Sequence, residues 1–128
     1  MISLLILAYN EEKNIEDTIF SYIDDFSEII IINDCSTDNT KKIIEGICME
    51  NDHITLINNK KNLGAGKSFQ IGVEKFKKTD IPYLIKVDGD GQFQKKDILK
   101  IKSMINNNKK FDLIKCDRFW ANGIVGNI

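Results

Sequence analysis

Several residue types that would point to a particular class of protein are scarce in this sequence. It has one proline, one histidine and three cysteines, Cys35, Cys48 and Cys116, and no two cysteines form a CxxC pair. A zinc site and a disulfide framework are therefore disfavoured, and the cysteines are predicted to be packing residues in a reducing compartment. His53 lies in a polar stretch and is predicted to be a surface loop residue.

An excess of charge and a long apolar run are absent as well. The 18 basic and 19 acidic residues give a formal net charge of -1, which offers no electrostatic argument for binding nucleic acid. No apolar run approaches the ~20 residues that span a bilayer, and the start MISLLILAYNEE lacks the basic flank of a signal peptide. With 128 residues, 42% of them hydrophobic, the chain is expected to be one cytoplasmic globular domain.

Apolar runs alternate with amphipathic segments along the chain. The predicted strands are Ile2–Ala8, Glu28–Asn33, Ile54–Ile57, Tyr83–Val87 and Asp112–Cys116, and the predicted helices are Glu11–Ile23, Asp38–Glu50, Gly64–Lys77 and Asp97–Asn107. Four consecutive isoleucines in the second strand are typical of a strand buried on both faces. Ser36 or Thr37 is the predicted N-cap of the second helix. This order predicts an α/β fold with a mostly parallel, Rossmann-like sheet and helices on both faces.

The segment after the fourth predicted strand carries the sharpest indication of chemistry. Asp88 and Asp90 are two residues apart, so in extended backbone both carboxylates point the same way. Carboxylate oxygens suit Mg²⁺ or Mn²⁺, and a divalent cation offsets the repulsion between them. Gln92 would add a third oxygen, while Gly89 and Gly91 let a phosphate approach the backbone. The alternative is a glycine-rich turn with solvated aspartates.

Two further polar segments follow predicted strands. The stretch Asn62–Ser68 is glycine-rich but is not a Walker A loop, because Lys61 stands where that motif has its first glycine. Lys67 is a candidate for a phosphate contact, or else belongs to a solvated lysine face. Asp34 ends the second strand, where its carboxylate can accept hydrogen bonds from a base or a ribose. A helix-capping cluster around Asp38 is the alternative explanation of that segment.

Taken together, these segments resemble the nucleotide-sugar-binding half of the family-two glycosyltransferases, which have the GT-A fold. The opening P-x-YNEE, V-DD-GSTD, N-x-G-x-G, DxDxQ and DLVIGSRF motifs of that family are matched, in order, by Leu7–Glu12, Ile32–Asp38, Asn62–Gly66, Asp88–Gln92 and Asp112–Phe119. The chain departs from the motifs at Leu7 for Pro, Asn33 for Asp and Cys35 for Gly. The DxDxQ form with Arg118 is similar to dolichyl-phosphate mannose synthases and related polyprenyl-phosphate glycosyltransferases.

The resemblance implies a metal-dependent, inverting transfer of a sugar from a UDP- or GDP-sugar, with Mg²⁺ or Mn²⁺ as cofactor. It implies that the Ala8–Tyr9 backbone and Glu12 line the nucleotide pocket and that the base contacts Asp34. Gly64 and Lys67 of the glycine-rich segment are further candidate substrate-binding residues. Asp88 would place the ribose or the metal, Asp90 and Gln92 would bind the metal, and Arg118 would face the phosphates.

Members of the family usually continue through an acceptor-binding segment. Residues 1–128 are therefore expected to be a nucleotide-sugar-binding domain truncated before that segment, with a polyprenyl phosphate as the implied acceptor and peripheral membrane association through the missing part. A donor-binding module without turnover and a nucleotidyltransferase are the alternatives. The base, the sugar, the acceptor and the oligomeric state stay open.

Overall fold

The computed structural model describes residues 1–107, 114–116 and 124–127. The strands are β1 (Ile2–Ala8), β2 (Glu28–Asn33), β3 (Ile54–Asn58), β4 (Tyr83–Asp88), β5 (Ile114–Cys116) and β6 (Ile124–Asn127). The helices are α1 (Ile15–Tyr22), α2 (Thr40–Met49), α3 (Ala65–Phe76) and α4 (Lys95–Asn107). None of the helices within these ranges combines the length and the apolar character needed to cross a membrane.

The chain forms two compact units, residues 1–92 and 93–128. The first unit is built on a parallel four-stranded sheet with the order β3-β2-β1-β4. The chain moves in one direction from β1 to β3 and then reverses to reach β4. Right-handed crossovers therefore place α1 and α2 on one face and α3 on the other. Such a reversal, here between β1 and β4, is where open α/β sheets bind ligands at the carboxyl ends of the strands.

The sheet is held by an apolar core on both faces, which confirms the predicted burial of the second strand on both of its faces. Every residue of β1 is buried, and the four isoleucines of β2 are 0% exposed. One face presents Leu5, Leu7, Ile30 and Ile32, and these pack against partly buried side chains that include Ile71 and Phe76 of α3 and Leu84 of β4. The core thus fixes the strand register that aligns the polar residues at the carboxyl ends.

The start of the first helix and the N-cap of the second differ from the prediction. Helix α1 begins at Ile15 instead of Glu11, because the carbonyl of Glu11 accepts hydrogen bonds from the N–H groups of Asn14 and Ile15 in a preceding turn. The predicted N-cap of α2 at Ser36 or Thr37 is wrong. The helix begins at Thr40, whose N–H donates to Asp38 Oδ1 at 2.9 Å.

The second unit contains α4 and a two-stranded antiparallel sheet of β5 and β6. The predicted fifth strand is present as Ile114–Cys116, whereas β6 was not predicted. Positions 112 and 113 of the predicted strand lie outside the described residues. The second, third and fourth predicted helices and the first four strands agree with the structure to within about two residues at each end, which is the ordinary uncertainty of such boundaries.

The minor predictions on His53 and the cysteines have mixed outcomes. His53 is half-buried, and its Nε2 lies 2.7 Å from the carbonyl oxygen of Ile23, so it joins the loop after α1 to the start of β3. Cys35 and Cys48 are free thiols and half-buried. Burial raises the pKa of the Cys48 thiol, and the neighbouring Glu45 carboxylate raises it further. A packing role suits Cys48 on these grounds.

Helix α3 packs closely on β1 at Gly72, which leads to a first prediction. A Cβ at this position would overlap the side chain of Leu5, which is 0% exposed and has little room to move. We expect Gly72→Ala to lower the free energy of unfolding by about 1–3 kcal/mol in a urea titration. Gly46→Ala is the matched control, because Gly46 lies within α2 and has open space at its Cβ. Equal stability of the two variants would contradict the close-packing argument.

Candidate functional site

The carboxyl ends of the four parallel strands form one connected rim. Backbone hydrogen bonds continue past the strand ends, from Asp34 N to Ala8 O at 2.9 Å, from Asn59 N to Asn33 O at 2.9 Å, and from Gly89 N to Leu7 O at 2.8 Å. The polar loops that follow β1, β2, β3 and β4 therefore start side by side. We call these loops the rim loops: residues 9–14, 34–39, 59–64 and 89–92.

The first two rim loops are bound together through their polar side chains. Asn10 N donates to Ser36 Oγ at 2.9 Å, and Asn10 Oδ1 accepts from Thr37 N at 2.7 Å. Asn10 holds φ at 50°, a left-handed conformation that asparagine tolerates better than most residues. Glu12 Oε2 accepts from Asn39 N at 3.1 Å, and Glu12 N donates to Asp38 Oδ2 at 3.3 Å. Glu12, predicted to line the nucleotide pocket, thus holds the loop that leads into α2.

Asp38 is a negative group fixed at the start of α2. Burial raises the pKa of its carboxyl, but hydrogen bonds from the Thr40 hydroxyl and N–H and from Glu12 N lower it more, so the net shift is downward. The Thr40 hydroxyl is also the acceptor for Glu11 N at 2.8 Å. The charge at Asp38 therefore stabilises the junction of the first two rim loops with α2.

Asp34 is buried at the end of β2 and clamps the third rim loop. Its Oδ1 accepts from Asn59 Nδ2 at 2.9 Å and from Leu63 N at 2.7 Å, and its Oδ2 accepts from Gly64 N at 2.9 Å. Gly64 has φ at 89°, which suits glycine and positions the chain to enter α3. Asn59 also donates to Ser68 Oγ at 3.0 Å. Asp34 therefore organises the loop between β3 and α3, a role that the sequence did not indicate.

The carboxyl pKa of Asp34 lies below its ordinary value. Burial raises it, but hydrogen bonds from Leu63 N, the Asn59 amide, Gly64 N and the Ser68 hydroxyl together outweigh the burial. The group is therefore an anion at neutral pH, and most of its acceptor capacity is used within the protein. The contact of Asp34 with a base stays a prediction. A base would have to donate to a lone pair of the carboxylate that the third rim loop does not already use.

Cys35 follows Asp34 in an unusual backbone conformation. Its φ is 59°, in the left-handed region that glycine enters without cost and that other L-residues adopt reluctantly. The family motif matched above has glycine here. Its Sγ lies 3.7 Å from the carbonyl oxygen of Lys60. The cysteine thus adopts a backbone conformation that suits glycine and places a thiol between the second and third rim loops.

The end of β4 and the fourth rim loop carry the three candidate metal ligands, Asp88, Asp90 and Gln92. Asp88 ends β4 half-buried, and its Oδ1 lies 2.8 Å from Lys86 Nζ. Asp90 Oδ1 accepts from Gln92 N at 3.0 Å across a turn in which Gly91 has φ at 72°. The turn is anchored at Gly89, whose carbonyl accepts from the buried Thr18 hydroxyl at 3.2 Å. One carboxylate thus ends the strand beside β1, and the other lies on a turn held against β1 and α1.

The donor set of this loop suits a hard divalent cation. Asp88 and Asp90 offer carboxylate oxygens, and Gln92 offers an amide oxygen. No histidine or cysteine lies among residues 88–92. Within the described part of the chain, no group of three or more His, Cys, Asp or Glu side chains is placed to hold a metal ion. A two-carboxylate site fits Mg²⁺ or Mn²⁺ in the manner of sites that complete their coordination with phosphate oxygens and water.

The remaining predicted site residues lie on the rim or outside the described residues. Ala8 is buried at the end of β1, and Tyr9 beside it leaves 47% of its surface exposed. Lys67 is exposed in the first turn of α3. Arg118 lies outside the described residues. Sequence reasoning missed the loop-binding residues Asn10, Asn59 and Thr40, although the density of Asn, Ser, Thr and Asp after the strands was a usable indication.

Comparison with known proteins places the chain in a family. The profile described as Glycosyl transferase family 2 matches residues 3–123. The chain belongs to glycosyl transferase family 2. This assignment confirms the resemblance seen in the motifs, and the parallel sheet with its helices is the GT-A fold.

Two curated relatives are similar to most of this chain. An uncharacterized glycosyltransferase of Haemophilus influenzae is 35% identical over 111 residues, which cover 84% of this chain and 33% of the relative. A UDP-N-acetylglucosamine–dolichyl-phosphate N-acetylglucosaminyltransferase of Methanococcus voltae is 31% identical over 125 residues, which cover 87% of this chain and 50% of the relative. The chain thus spans a third to a half of the length of these relatives.

Two solved structures show the same fold at low sequence identity. S. aureus TarS residues 1–349, in complex with UDP, matches with a TM-score of 0.68 at 24% identity. The matched region covers 84% of this chain and 32% of the TarS chain. The mannosyltransferase PcManGT from Pyrobaculum calidifontis, in complex with GDP-Man and Mn²⁺, has a TM-score of 0.68 at 15% identity. The matched region covers 81% of this chain and 32% of the PcManGT chain. Both similarities support the GT-A fold of this family 2 chain.

Proposed function

We propose that residues 1–128 form the donor-binding part of a metal-dependent, inverting glycosyltransferase that takes its sugar from a UDP- or GDP-sugar. The observation that carries the proposal is the pair Asp88 and Asp90 at the carboxyl end of β4, beside the end of β1. This is the point where the order of the parallel sheet reverses, and ligands of such sheets bind there. Membership of family 2 gives this pair the chemistry of a sugar donor.

The rim supplies groups suited to each part of a nucleotide sugar. Tyr9 offers an exposed aromatic ring for a base, and Asp34 offers an anionic acceptor at the end of β2. Lys67 offers a positive charge at the start of α3 for a phosphate. UDP in the TarS complex and GDP-Man in the PcManGT complex support a nucleotide as the ligand of this chain. They leave the choice between uracil and guanine to experiment.

Asp88, Asp90 and Gln92 would hold Mg²⁺ or Mn²⁺, which when bound neutralises charge on the leaving diphosphate. The Mn²⁺ in the PcManGT complex supports a divalent cation for this chain. The anchored turn at Gly89 keeps the carboxylates preorganised, so little ordering is needed when the donor arrives. Arg118 is proposed to face the same phosphates, on the strength of the matched motif.

A polyprenyl phosphate is the proposed acceptor. The Methanococcus voltae relative acts with dolichyl phosphate, as its name states, and this supports an acceptor that is itself a phosphate. A phosphate oxygen is already an anion and needs no base to remove a proton. It would form the new bond to the anomeric carbon from the opposite side while the bond to the nucleoside diphosphate breaks, which inverts the anomeric configuration.

A calorimetric titration of the chain with UDP and with GDP tests the donor site. In the presence of Mn²⁺ we expect one of the two nucleotides to bind, and we expect EDTA to weaken that binding at least ~10-fold because the diphosphate loses its counter-charge. CMP is the control ligand, since it has neither candidate base and no diphosphate. Binding that EDTA leaves unchanged would contradict metal dependence, and failure of both nucleotides to bind would contradict a donor site in residues 1–128.

A further inference from the structure

The Asp88 carboxylate faces a cation supplied by its own strand. Lys86 and Asp88 are two residues apart in β4 and so lie on the same side of the strand. The ammonium Nζ of Lys86 lies 2.8 Å from Asp88 Oδ1. The other candidate ligand, Asp90, accepts a backbone hydrogen bond from Gln92 in its turn. The two carboxylates therefore have different partners. The positive charge of Lys86 partly neutralises Asp88, whereas Asp90 accepts a hydrogen bond from a backbone N–H.

A lysine in this position opposes a divalent cation in two ways. Its ammonium competes for the oxygen that the metal would use, and it repels the double positive charge at short range. Both side chains of the pair are partly exposed, at 37% and 42%, so water screens the interaction. The opposition is therefore moderate, which makes Lys86 displaceable when a nucleotide diphosphate brings further negative charge to the rim.

The geometry points to Lys86 as the resident counter-ion of Asp88, a positioning residue that weakens metal binding to this site in the absence of nucleotide. The inference rests on the proposed function, because it takes Asp88 and Asp90 as the metal site. Lys86 lies outside the matched DxDxQ segment. Its proposed role is to pair with Asp88 when no metal is bound. A diphosphate that accepts the displaced ammonium would relieve the competition, so metal and nucleotide would favour each other's binding.

Electron paramagnetic resonance of free Mn²⁺ measures this effect without any turnover. We expect Lys86→Met to bind Mn²⁺ about 3- to 10-fold more tightly than the wild-type chain in the absence of nucleotide. Lys86→Arg keeps the positive charge and is expected to stay within about twofold of the wild type. The gain in Lys86→Met is expected to shrink at 0.5 M KCl, because exposed charges are screened over about 4 Å at that ionic strength.

Lys78→Met is the matched control, since Lys78 is an exposed lysine after the end of α3. Mn²⁺ affinity that is unchanged or weakened in Lys86→Met overturns the assignment, as does an equal gain in Lys78→Met, which would reflect net charge alone. Asp90→Asn separates this result from the proposed function. If Asp90→Asn weakens Mn²⁺ binding while Lys86→Met changes nothing, only the role of Lys86 is wrong. If the wild type and Lys86→Met both fail to bind Mn²⁺, the metal site and the role of Lys86 are both wrong.

Discussion

Asp34→Ala is expected to lower the free energy of unfolding by about 3 kcal/mol. The substitution removes a buried carboxylate that accepts hydrogen bonds from Asn59, Leu63 and Gly64. Hydrogen bonds to a charged group are stronger than neutral ones, and the two N–H donors would be left without an acceptor in a half-buried loop. The loss should be concentrated in the third rim loop, because all three donors belong to residues 59–64.

Urea unfolding gives the global effect of Asp34→Ala, and amide hydrogen exchange gives the local one. We expect the N–H groups of Leu63 and Gly64 to exchange faster in the variant, while the N–H groups within β1 keep their protection. Asp24→Ala is the matched control, because Asp24 is an exposed aspartate in the loop after α1. If Asp34→Ala were as stable as Asp24→Ala, the carboxylate would not be the clamp of this loop.

The contribution of the Asp34 carboxylate to the free energy of unfolding is expected to decrease at acid pH. The pKa of Asp34 in the folded chain lies below that in the unfolded chain, which is about 3.9. The stabilisation is therefore fully present above pH ~4 and is lost as the pH falls through the folded-state value. We expect the stability difference between the wild type and Asp34→Asn to be constant from pH 7 to pH 5 and to narrow below pH ~4. A difference that widens on acidification would contradict the lowered pKa.

The strands of the first unit were predictable from sequence because a doubly buried parallel strand is almost wholly apolar. The isoleucines at 29–32 leave no other interpretation of that segment, and the run Ile2–Ala8 has the same character. The starts of α1 and α2 were less predictable. Asn14, Asp38 and the hydroxyl residues near them all favour helix starts, and tertiary contacts decided between them. Asp38 precedes the N-cap, Asn39, and its carboxylate fixes the start of α2 by accepting hydrogen bonds from Glu12 N and Thr40 N.

The candidate site was predictable in position but not in its internal contacts. The rule that ligands bind at the carboxyl ends of parallel strands selects the rim loops from the order of elements alone. The role of Asp34 as a clamp depends on a partner 29 residues away in the chain, Leu63, whose N–H any residue but proline would offer. The Lys86–Asp88 pair could have been predicted from the sequence, because the side chains of residues i and i+2 of a strand lie on the same face.

Asp90→Asn is expected to remove the metal-dependent part of nucleotide affinity while leaving the fold intact. The asparagine keeps the shape of the side chain, and its amide oxygen can still accept the hydrogen bond from Gln92 N. It loses the negative charge, however, and a neutral amide is a weaker ligand for Mn²⁺ than a carboxylate. In Mn²⁺ the affinity for whichever of UDP and GDP binds the wild type should fall at least ~10-fold, to the value measured in EDTA.

The comparison with EDTA makes the Asp90→Asn result specific to the metal. If Asp90 acts through the cation, the variant and the wild type should have equal affinity once EDTA is present, and their melting temperatures should agree within about 2 °C. Asp80→Asn, an exposed aspartate before β4, makes the same change of charge without touching the rim and should bind nucleotide like the wild type. Unchanged affinity of Asp90→Asn in Mn²⁺ would remove Asp90 from the metal site. A loss that persists in EDTA would instead assign Asp90 to the turn that Gly89 anchors.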